Sequence, residues 1–335
     1  IPKKFAEKTG IEAKEEHEVE ISKHSRDERI KLTKEFMKEL YTNQKLSLDE
    51  VAEITGRHPA TVWCTLTRYG IETRRTQYPK TPYSEDLVQK ASYYGLIKGD
   101  VHAHADERQI QLTTGTTHPS MIKLFRDEFG QDKHVGLYPN WREEKPFTWK
   151  VRTYLHPSYS FLIDKQKEKE FFKQMAGNEK LLLTFTARLV DCEGILQVRN
   201  TNGYIGRHLR IGMENKVLLT YLQKNLEKHG YHSTLRIETK KGTKKGYSTF
   251  SEDFWTLTFY RKDEVLKLVE KLPLKHYEKV RRKKLMLALK DCKHWDEVEP
   301  YVSALREHIK KERDECVEEA KKAWTKKHGE QKHSK

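Results

Sequence analysis

The sequence predicts an α+β protein in which a tandem αββαββα repeat over residues 83–273 is joined to a small all-α domain and a helical C-terminal extension. Three observations predict it. The order helix, two strands, helix, two strands, helix reads twice, with Asp100 and Glu193 at matching places 93 positions apart. Residues 30–75 carry apolar side chains at helical spacing. Residues 275–335 return to helical spacing with a heavy load of Lys and Arg. A repeat of this period is read before any motif, because each copy has to be judged against the other.

Composition narrows the partners. The 335 residues carry 65 Lys and Arg against 50 Asp and Glu, a formal charge of +15. That surplus selects a polyanion, with nucleic acid first and a membrane surface second. No apolar run approaches the roughly 18 residues that span a bilayer, and Ile1-Pro2-Lys3-Lys4 lacks a signal-peptide core. A soluble intracellular protein, cytoplasmic or nucleoid-associated, is expected. Cys64, Cys192, Cys292 and Cys316 are too dispersed for a CxxC or zinc spacing, so free thiols in a reducing compartment are expected.

Residues 1–29 form a charged arm with few large apolar groups, to which no function is assigned. In residues 30–75, Ile30, Leu32, Phe36, Met37 and Leu40 predict a first helix. Ser47, with Glu50 three residues on, makes a capping box for a second helix through Val51 and Ile54, which breaks at Thr55-Gly56. His58-Pro59 starts a third helix, because proline lacks an N–H that the first helical position does not need. It runs through Val62, Trp63, Leu66 and Tyr69 to Gly70. The stretch from Leu46 to Ile71 resembles the helix-turn-helix of bacterial and archaeal regulators and resolvases. That resemblance implies DNA contacts from Ala60, Thr61, Thr65 and Arg68, with Arg57 and Arg74 on phosphate. A three-helix packing unit without DNA contact is the alternative. Arg74-Arg75 and Pro79 to Pro82 then read as a linker.

The first repeat copy (83–177) begins with an apolar helix, Leu87 to Lys98, ending at Gly99-Asp100. Two strands follow, the second from Gln109 to Thr114, then a helix from Pro119 to Gly130. Strands His134 to Tyr138 and Thr148 to Tyr154 and a short helix at Phe161-Leu162 complete it. The second copy (178–273) opens with a helix from Leu181 to Asp191 and runs into Cys192-Glu193-Gly194. Its strands are Ile195 to Arg199, Arg207 to Ile211, Ser233 to Glu238 and Phe254 to Tyr260. Helices at Lys216 to His229 and through Val265 and Leu268 separate and close them. Beyond it, His276 to Leu289 forms a basic helix. A longer one follows, with Val298, Tyr301, Val302, Leu305, Ile309, Val317, Ala320 and Trp324 along one side. Residues 326–335 are expected to be disordered.

The helix ends carry the chemistry. Tyr93-Tyr-Gly-Leu-Ile-Lys-Gly-Asp100 and Thr186-Ala-Arg-Leu-Val-Asp-Cys-Glu193-Gly194 both resemble the LAGLIDADG signature of homing endonucleases, in its single-chain, two-repeat archaeal type. Thr116-Thr117-His118-Pro119 and Leu272-Pro-Leu-Lys-His276 extend the likeness, which covers about residues 83–285. It implies a pseudo-two-fold saddle in which the two helices cross tightly, as Gly95 and Gly99 would permit. Their ends would then bring Asp100 and Glu193 together as catalytic and metal-binding acids, one per DNA strand. Neither acid is favoured at the negative end of a helix, so cations must offset them. Mg²⁺ or Mn²⁺ is expected, two or three ions shared between the acids, because Mg²⁺ binds through one or two carboxylates plus phosphate. The chain departs from the signature at Lys98, Val101 and Arg188. No lysine can be assigned from spacing as the basic group that often accompanies such acids. His102 and His104, two apart after Asp100, could offer ligands on one strand face, although contacts to DNA backbone are the plainer reading.

Strand alternation then assigns faces. In the first copy Ile110, Leu112 and Val151 pack inward, leaving Gln109, Gln111, Thr113, Lys150 and Arg152 outward. In the second, Leu196, Val198, Leu209, Ile211, Leu235, Ile237, Trp255 and Leu257 pack inward, leaving Gln197, Arg199, His208, Arg210 and Arg236 outward. Arg and Gln read guanine and adenine edges, so double-stranded DNA is the expected partner of a monomeric, site-specific, metal-dependent endonuclease. A transcription regulator that has lost cleavage and an intron maturase that binds RNA are the alternatives.

Overall fold

The computed structural model describes residues 32–44, 46, 48–73, 80–106, 109–129, 135–142, 145–245 and 248–328. The expected N-terminal arm, the Ser47 cap, Arg74, Arg75 and residues 329–335 lie outside them. The chain divides into two units, residues 1–77 and 78–335, each with its own apolar core.

In the first unit, helix α1 (Lys34–Lys38) is capped by Thr33, whose hydroxyl accepts from the Phe36 N–H at 3.2 Å. It widens into a π-type turn over Glu39–Asn43. Helix α2 (Leu48–Thr55) ends at Gly56, whose φ of +62° is the left-handed conformation glycine tolerates. His58 then caps α3 (Pro59–Arg68), its ring nitrogen accepting from the Ala60 N–H at 3.2 Å. Met37, Leu40, Val51, Val62 and Leu66 form the shared core. The Tyr69 hydroxyl donates to the Leu32 carbonyl at 2.6 Å, tying the residue after α3 to the chain before α1.

The second unit contains both repeats. The first runs α4 (Leu87–Lys98), β1 (His102–Asp106), β2 (Gln109–Thr116), α5 (Pro119–Phe129), β3 (Gly136–Asn140) and β4 (Thr148–Leu155), then a 3-10 turn over Pro157–Leu162. Helix α6 (Lys165–Ala176) joins it to the second. The second runs α7 (Glu179–Glu193), β5 (Gly194–Thr201), β6 (Tyr204–Met213), α8 (Lys216–Glu227) and β7 (Thr234–Thr239). A small hairpin, β8 (Lys244–Lys245) with β9 (Ser248–Thr249), precedes β10 (Phe254–Phe259) and α9 (Lys262–Lys271). Each four-stranded sheet is antiparallel and the orders correspond, β1-β2-β4-β3 and β5-β6-β10-β7. Their inner faces bury Ile110, Leu112, Val151, Leu196, Leu209, Ile211 and Leu257 against the helices. That is the alternation the strands predict.

Four differences from the sequence expectation have physical causes. Helix α6 gives little periodic signal, because its surface is charged and only Phe171 and Met175 are buried. The β8–β9 hairpin fills the β7–β10 connection with Lys, Ser and Thr, which carry no apolar alternation. Ile237 is 41% exposed instead of packed inward, because β7 is an edge strand. The last helix continues through Lys326, Lys327 and His328 in place of the expected disorder, and the His328 ring stacks on Trp324 at 3.8 Å.

The C-terminal extension comprises α10 (Tyr277–Ala288), a 3-10 turn over Trp295–Glu297, and α11 (Glu299–His328). Buried Arg207 of β6 donates to the Cys292 carbonyl at 3.0 Å and to that of Leu289, placing a cation at the negative end of α10. The 30 residues of α11 span about 45 Å. Near its start Arg306 donates to the Val198 carbonyl of the second repeat at 3.3 Å. Farther on, the Trp149 indole of the first repeat donates to the Cys316 carbonyl at 3.2 Å. The helix therefore straps both repeats. Its buried stripe is Val302, Ile309, Cys316 and Ala320, while Tyr301 faces solvent.

Candidate functional site

Helices α4 and α7 cross where α4 carries glycine. A methyl group built at Gly95 of α4 would stand 2.6 Å from the Phe185 carbonyl and from Cβ of Arg188 on α7. At Gly99 it would stand 2.4 Å from Cβ of Cys192 and 3.6 Å from Cγ of Glu193. Only glycine permits that approach. Tyr93 and Tyr94, bulky for such a crossing, turn instead into the first repeat's own core. Tyr93 packs on Phe129, and the Tyr94 hydroxyl donates to the Phe161 carbonyl at 2.9 Å.

Asp100 follows Gly99 directly and Glu193 follows Cys192, so the crossing delivers both carboxylates to one place. Their electrostatics register the crowding. Glu193 is pushed up to about 7, first by burial and then by the charge of Asp100, with Lys279 opposing. Burial of the carboxyl also raises Asp100, against the pull of Lys279, His102 and His118, although the residue keeps an exposed side. Two acids that disfavour each other's ionisation form a place that a cation would stabilise. Cys192 between them is a buried thiol held protonated by burial and the Asp100 charge.

Lys279 is a cation beside the acids that spacing could not connect to them. It stands in the first turn of α10, and its ammonium donates to the Gly194 carbonyl at 2.6 Å, immediately after Glu193. Burial draws its pKa down, while Glu278 is the first of the charges that oppose the shift.

A buried network holds that segment in position. Arg188 donates to Ser92 of α4 at 3.0 Å, to the Pro273 carbonyl at 2.7 Å and to Asp191. Asp191 in turn accepts from the N–H groups of Lys275 at 3.0 Å and His276 at 3.1 Å. Arg188, an outsider in the motif, thereby links both crossing helices to the segment that leads to Lys279. Lys98, the other outsider, pairs with Glu168 of α6 at 2.7 Å. Val101 is fully buried in the core. The two flanking motifs also meet here, with the rings of His118 and His276 6.3 Å apart. His118 lies 3.3 Å from Glu278, which is held far below the usual carboxylate range: burial opposes this, but His118, Lys279 and Arg282 prevail.

The outward strand residues occupy the places that alternation predicts. Gln111, Arg152, Gln197, His208 and Arg210 are half-buried, while Lys150, Arg199 and Arg236 are exposed. Several already have partners. Gln109 accepts from Lys80 at 2.5 Å and donates to Asp106 at 2.7 Å. Arg152 lies 5.3 Å from the Tyr138 ring, and Arg210 pairs with Glu238 at 2.7 Å. Burial and the neighbouring Arg199 and Arg210 lower the pKa of His208, keeping it neutral. In α3 the exposed face holds Ala60, Thr61 and Arg68, with Arg57 half-buried before it. Thr65 does not share that face. It is 9% exposed and its hydroxyl donates to the Thr61 carbonyl at 2.8 Å, so its expected place at a DNA contact is corrected. Trp63 and Thr67 are exposed on α3 instead, where sequence pattern gave no reason to place them.

Among the described residues, no group of three or more His, Cys, Asp or Glu side chains gathers to hold a metal. His102 and His104 are exposed, and no third ligand joins them among the described residues. Two carboxylates fit a hard divalent ion that completes its shell with water and phosphate oxygen. No helix among the described residues is long and apolar enough to cross a membrane.

Residues 180–273, the second repeat, match the family model described as a LAGLIDADG-like domain. No curated protein matches the chain. Among solved structures, I-DmoI in complex with DNA and Ca aligns at 15% identity and a TM-score of 0.38, over 56% of this chain and 91% of its own. I-WcaI bound to its DNA recognition sequence aligns at 15% identity and 0.41, over 56% and 82%. The LAGLIDADG homing endonuclease I-GzeII in complex with its DNA target aligns at 9% and 0.38, over 67% and 96%.

Proposed function

We propose that this chain is a site-specific, metal-dependent endonuclease of the homing type that cuts both strands of duplex DNA, with Asp100 and Glu193 as its catalytic acids. The single observation that carries the reading is the junction of two helix ends, made close by Gly95 and Gly99 of α4. It brings one carboxylate from each repeat to a shared point beside Lys279. The family match of the second repeat supports it. The two sheets, with Gln and Arg on their outer faces, supply a surface of the right chemistry for base edges.

Asp100 and Glu193 would hold Mg²⁺ or Mn²⁺, which supplies Lewis-acid charge at the scissile phosphate. The chain's own groups perform the rest. Lys279 places a cation next to Glu193 and adds positive charge where a phosphate dianion develops. Asp191 and Arg188 hold the backbone that leads to it. Glu278 orients His118 toward the Asp100 side. Helix α3 would add contacts to flanking DNA from Thr61, Arg68 and Arg57, in the manner of a helix-turn-helix.

Incubation of the purified chain with a randomised duplex pool and Mg²⁺ tests the reading. Cleavage of both strands at a common sequence is expected, and its loss in Asp100→Asn and in Glu193→Gln with duplex binding retained. Tight binding without cleavage under any divalent ion would leave a binding protein in its place.

A further inference from the structure

The two repeats differ in the length of the connection between their last two strands. In the first repeat this connection, residues 141–147, is short and carries Arg142 and Lys145 against Glu143 and Glu144. In the second, residues 240–253 include Lys240, Lys241, Lys244 and Lys245 against Glu252 and Asp253. The described residues of the longer one are tied by hydrogen bonds. Gly242, at a φ of +81°, donates to the Phe250 carbonyl at 2.9 Å, and Phe250 donates back to Thr243 at 3.1 Å. Asp253 accepts from the Lys241 N–H at 2.9 Å.

The anchor of this hairpin shows which way it faces. Gly212 follows Arg210 by two residues and so lies on the outer face of its sheet. A methyl group there would stand 2.8 Å from the Phe254 ring, so that ring covers the glycine on the outer face. Phe250 packs edge-on against Phe254 at 5.7 Å. The hairpin is therefore fixed to the face that carries His208 and Arg210. It also leaves the sheet at the end nearest the acids, since Trp255 pairs with Met213 while Gly194, next to Glu193, pairs with Ile211. Lys240 and Lys244 are exposed on it, and Lys241 is paired with Glu252 at 3.2 Å. The first repeat's connection is engaged otherwise: Trp141 stacks with Phe147 at 5.9 Å and meets Trp324 of α11 at 6.4 Å.

We infer that the 240–253 hairpin is a one-sided phosphate clamp, gripping the DNA backbone beside the second repeat with no counterpart in the first. The inference rests on the DNA-binding reading and adds a surface to it. Its occupant is duplex DNA, because exposed lysines on a tied hairpin at the rim of an Arg- and Gln-bearing face complement a phosphate backbone.

The test measures affinity of the full chain for a random-sequence duplex as a function of salt. Each phosphate that the protein ceases to neutralise makes the slope of log K against log salt shallower by about 0.9, so Lys240→Ala with Lys244→Ala should lower it by about 2. Phe250→Ala, which frees the hairpin from Phe254, should shift it in the same direction. Arg142→Ala with Lys145→Ala should leave it unchanged. An unchanged slope in the lysine variant overturns the clamp, and an equal fall in the first-repeat variant overturns its one-sidedness, while duplex binding itself survives both. Absence of duplex binding by the wild-type chain overturns the clamp and the DNA-binding reading together.

Discussion

Single side chains at the acid pair act through charge, so their replacement should separate chemistry from binding. Lys279 is half-buried against Gly194 and couples to Glu193, and removing its charge withdraws a fixed cation from the site. Lys279→Met should slow single-turnover cleavage by about 100-fold with duplex affinity unchanged. A fall in affinity alone would make it a binding residue. His276 reports on the same region through stability. Burial first, then Lys279, holds its pKa down at about 3 from an ordinary 6.5. The folded protein therefore binds its proton later than the unfolded chain does. That contribution is complete above pH 6.5 and is lost as pH falls toward 3, at up to about 1.4 kcal/mol per pH unit. Urea midpoints taken near neutral pH and about two units below it should show a steeper acid loss in the wild type than in His276→Gln.

Pairs of elements are set by contacts that tolerate little change. At the α4–α7 crossing the atoms facing Gly99 belong to Cys192 close to the backbone, which has no freedom to swing aside. Gly99→Ala should cost about 1–3 kcal/mol in urea unfolding. Cleavage should suffer more than binding, because the acids move apart. Gly115→Ala serves as the control, since nothing lies within 4 Å of that site. Arg188 is the other device at this crossing. Its guanidinium lies between Ser92, Asp191 and the Pro273 carbonyl, so Arg188→Met leaves a buried carboxylate without its cation. A loss of about 3–5 kcal/mol is expected in the same measurement. A neutral result would mean that the Lys275 and His276 amides satisfy Asp191 unaided.

Among the described residues two separate apolar cores form, one in each of the units 1–77 and 78–335. Calorimetry should therefore resolve two transitions. A fragment of residues 78–335 should keep one of them, together with cleavage, while losing affinity for flanking DNA. Helix α11 belongs to the larger transition, because it packs on both repeats. Truncation after Val298 exposes the partners of Val302 and Ile309, each worth about 1.5–3 kcal/mol when fully buried. It should lower the midpoint of the larger transition and leave the other in place.

What could be read before any coordinates was everything with a local cause. Strand alternation, the αββαββα order and the glycines of α4 follow from periodicity and local composition, and the acids after α4 and at the end of α7 are marked by the resemblance of both helix ends to one signature. They determined the repeat and the candidate acids. Lys279 stands 179 residues beyond Asp100, and no spacing rule connects them. Only the packing of α10 on β5 and α5 brings it to the acids. Thr65 shows the same limit from the other side, since the helix-turn-helix resemblance placed it on an exposed face while helix packing buried it. The charged surface of α6 and the basic hairpin likewise carried no periodic signal. Sequence thus determined which residues could do chemistry, and tertiary structure decided which of them meet, because convergence depends on contacts between elements far apart in the chain.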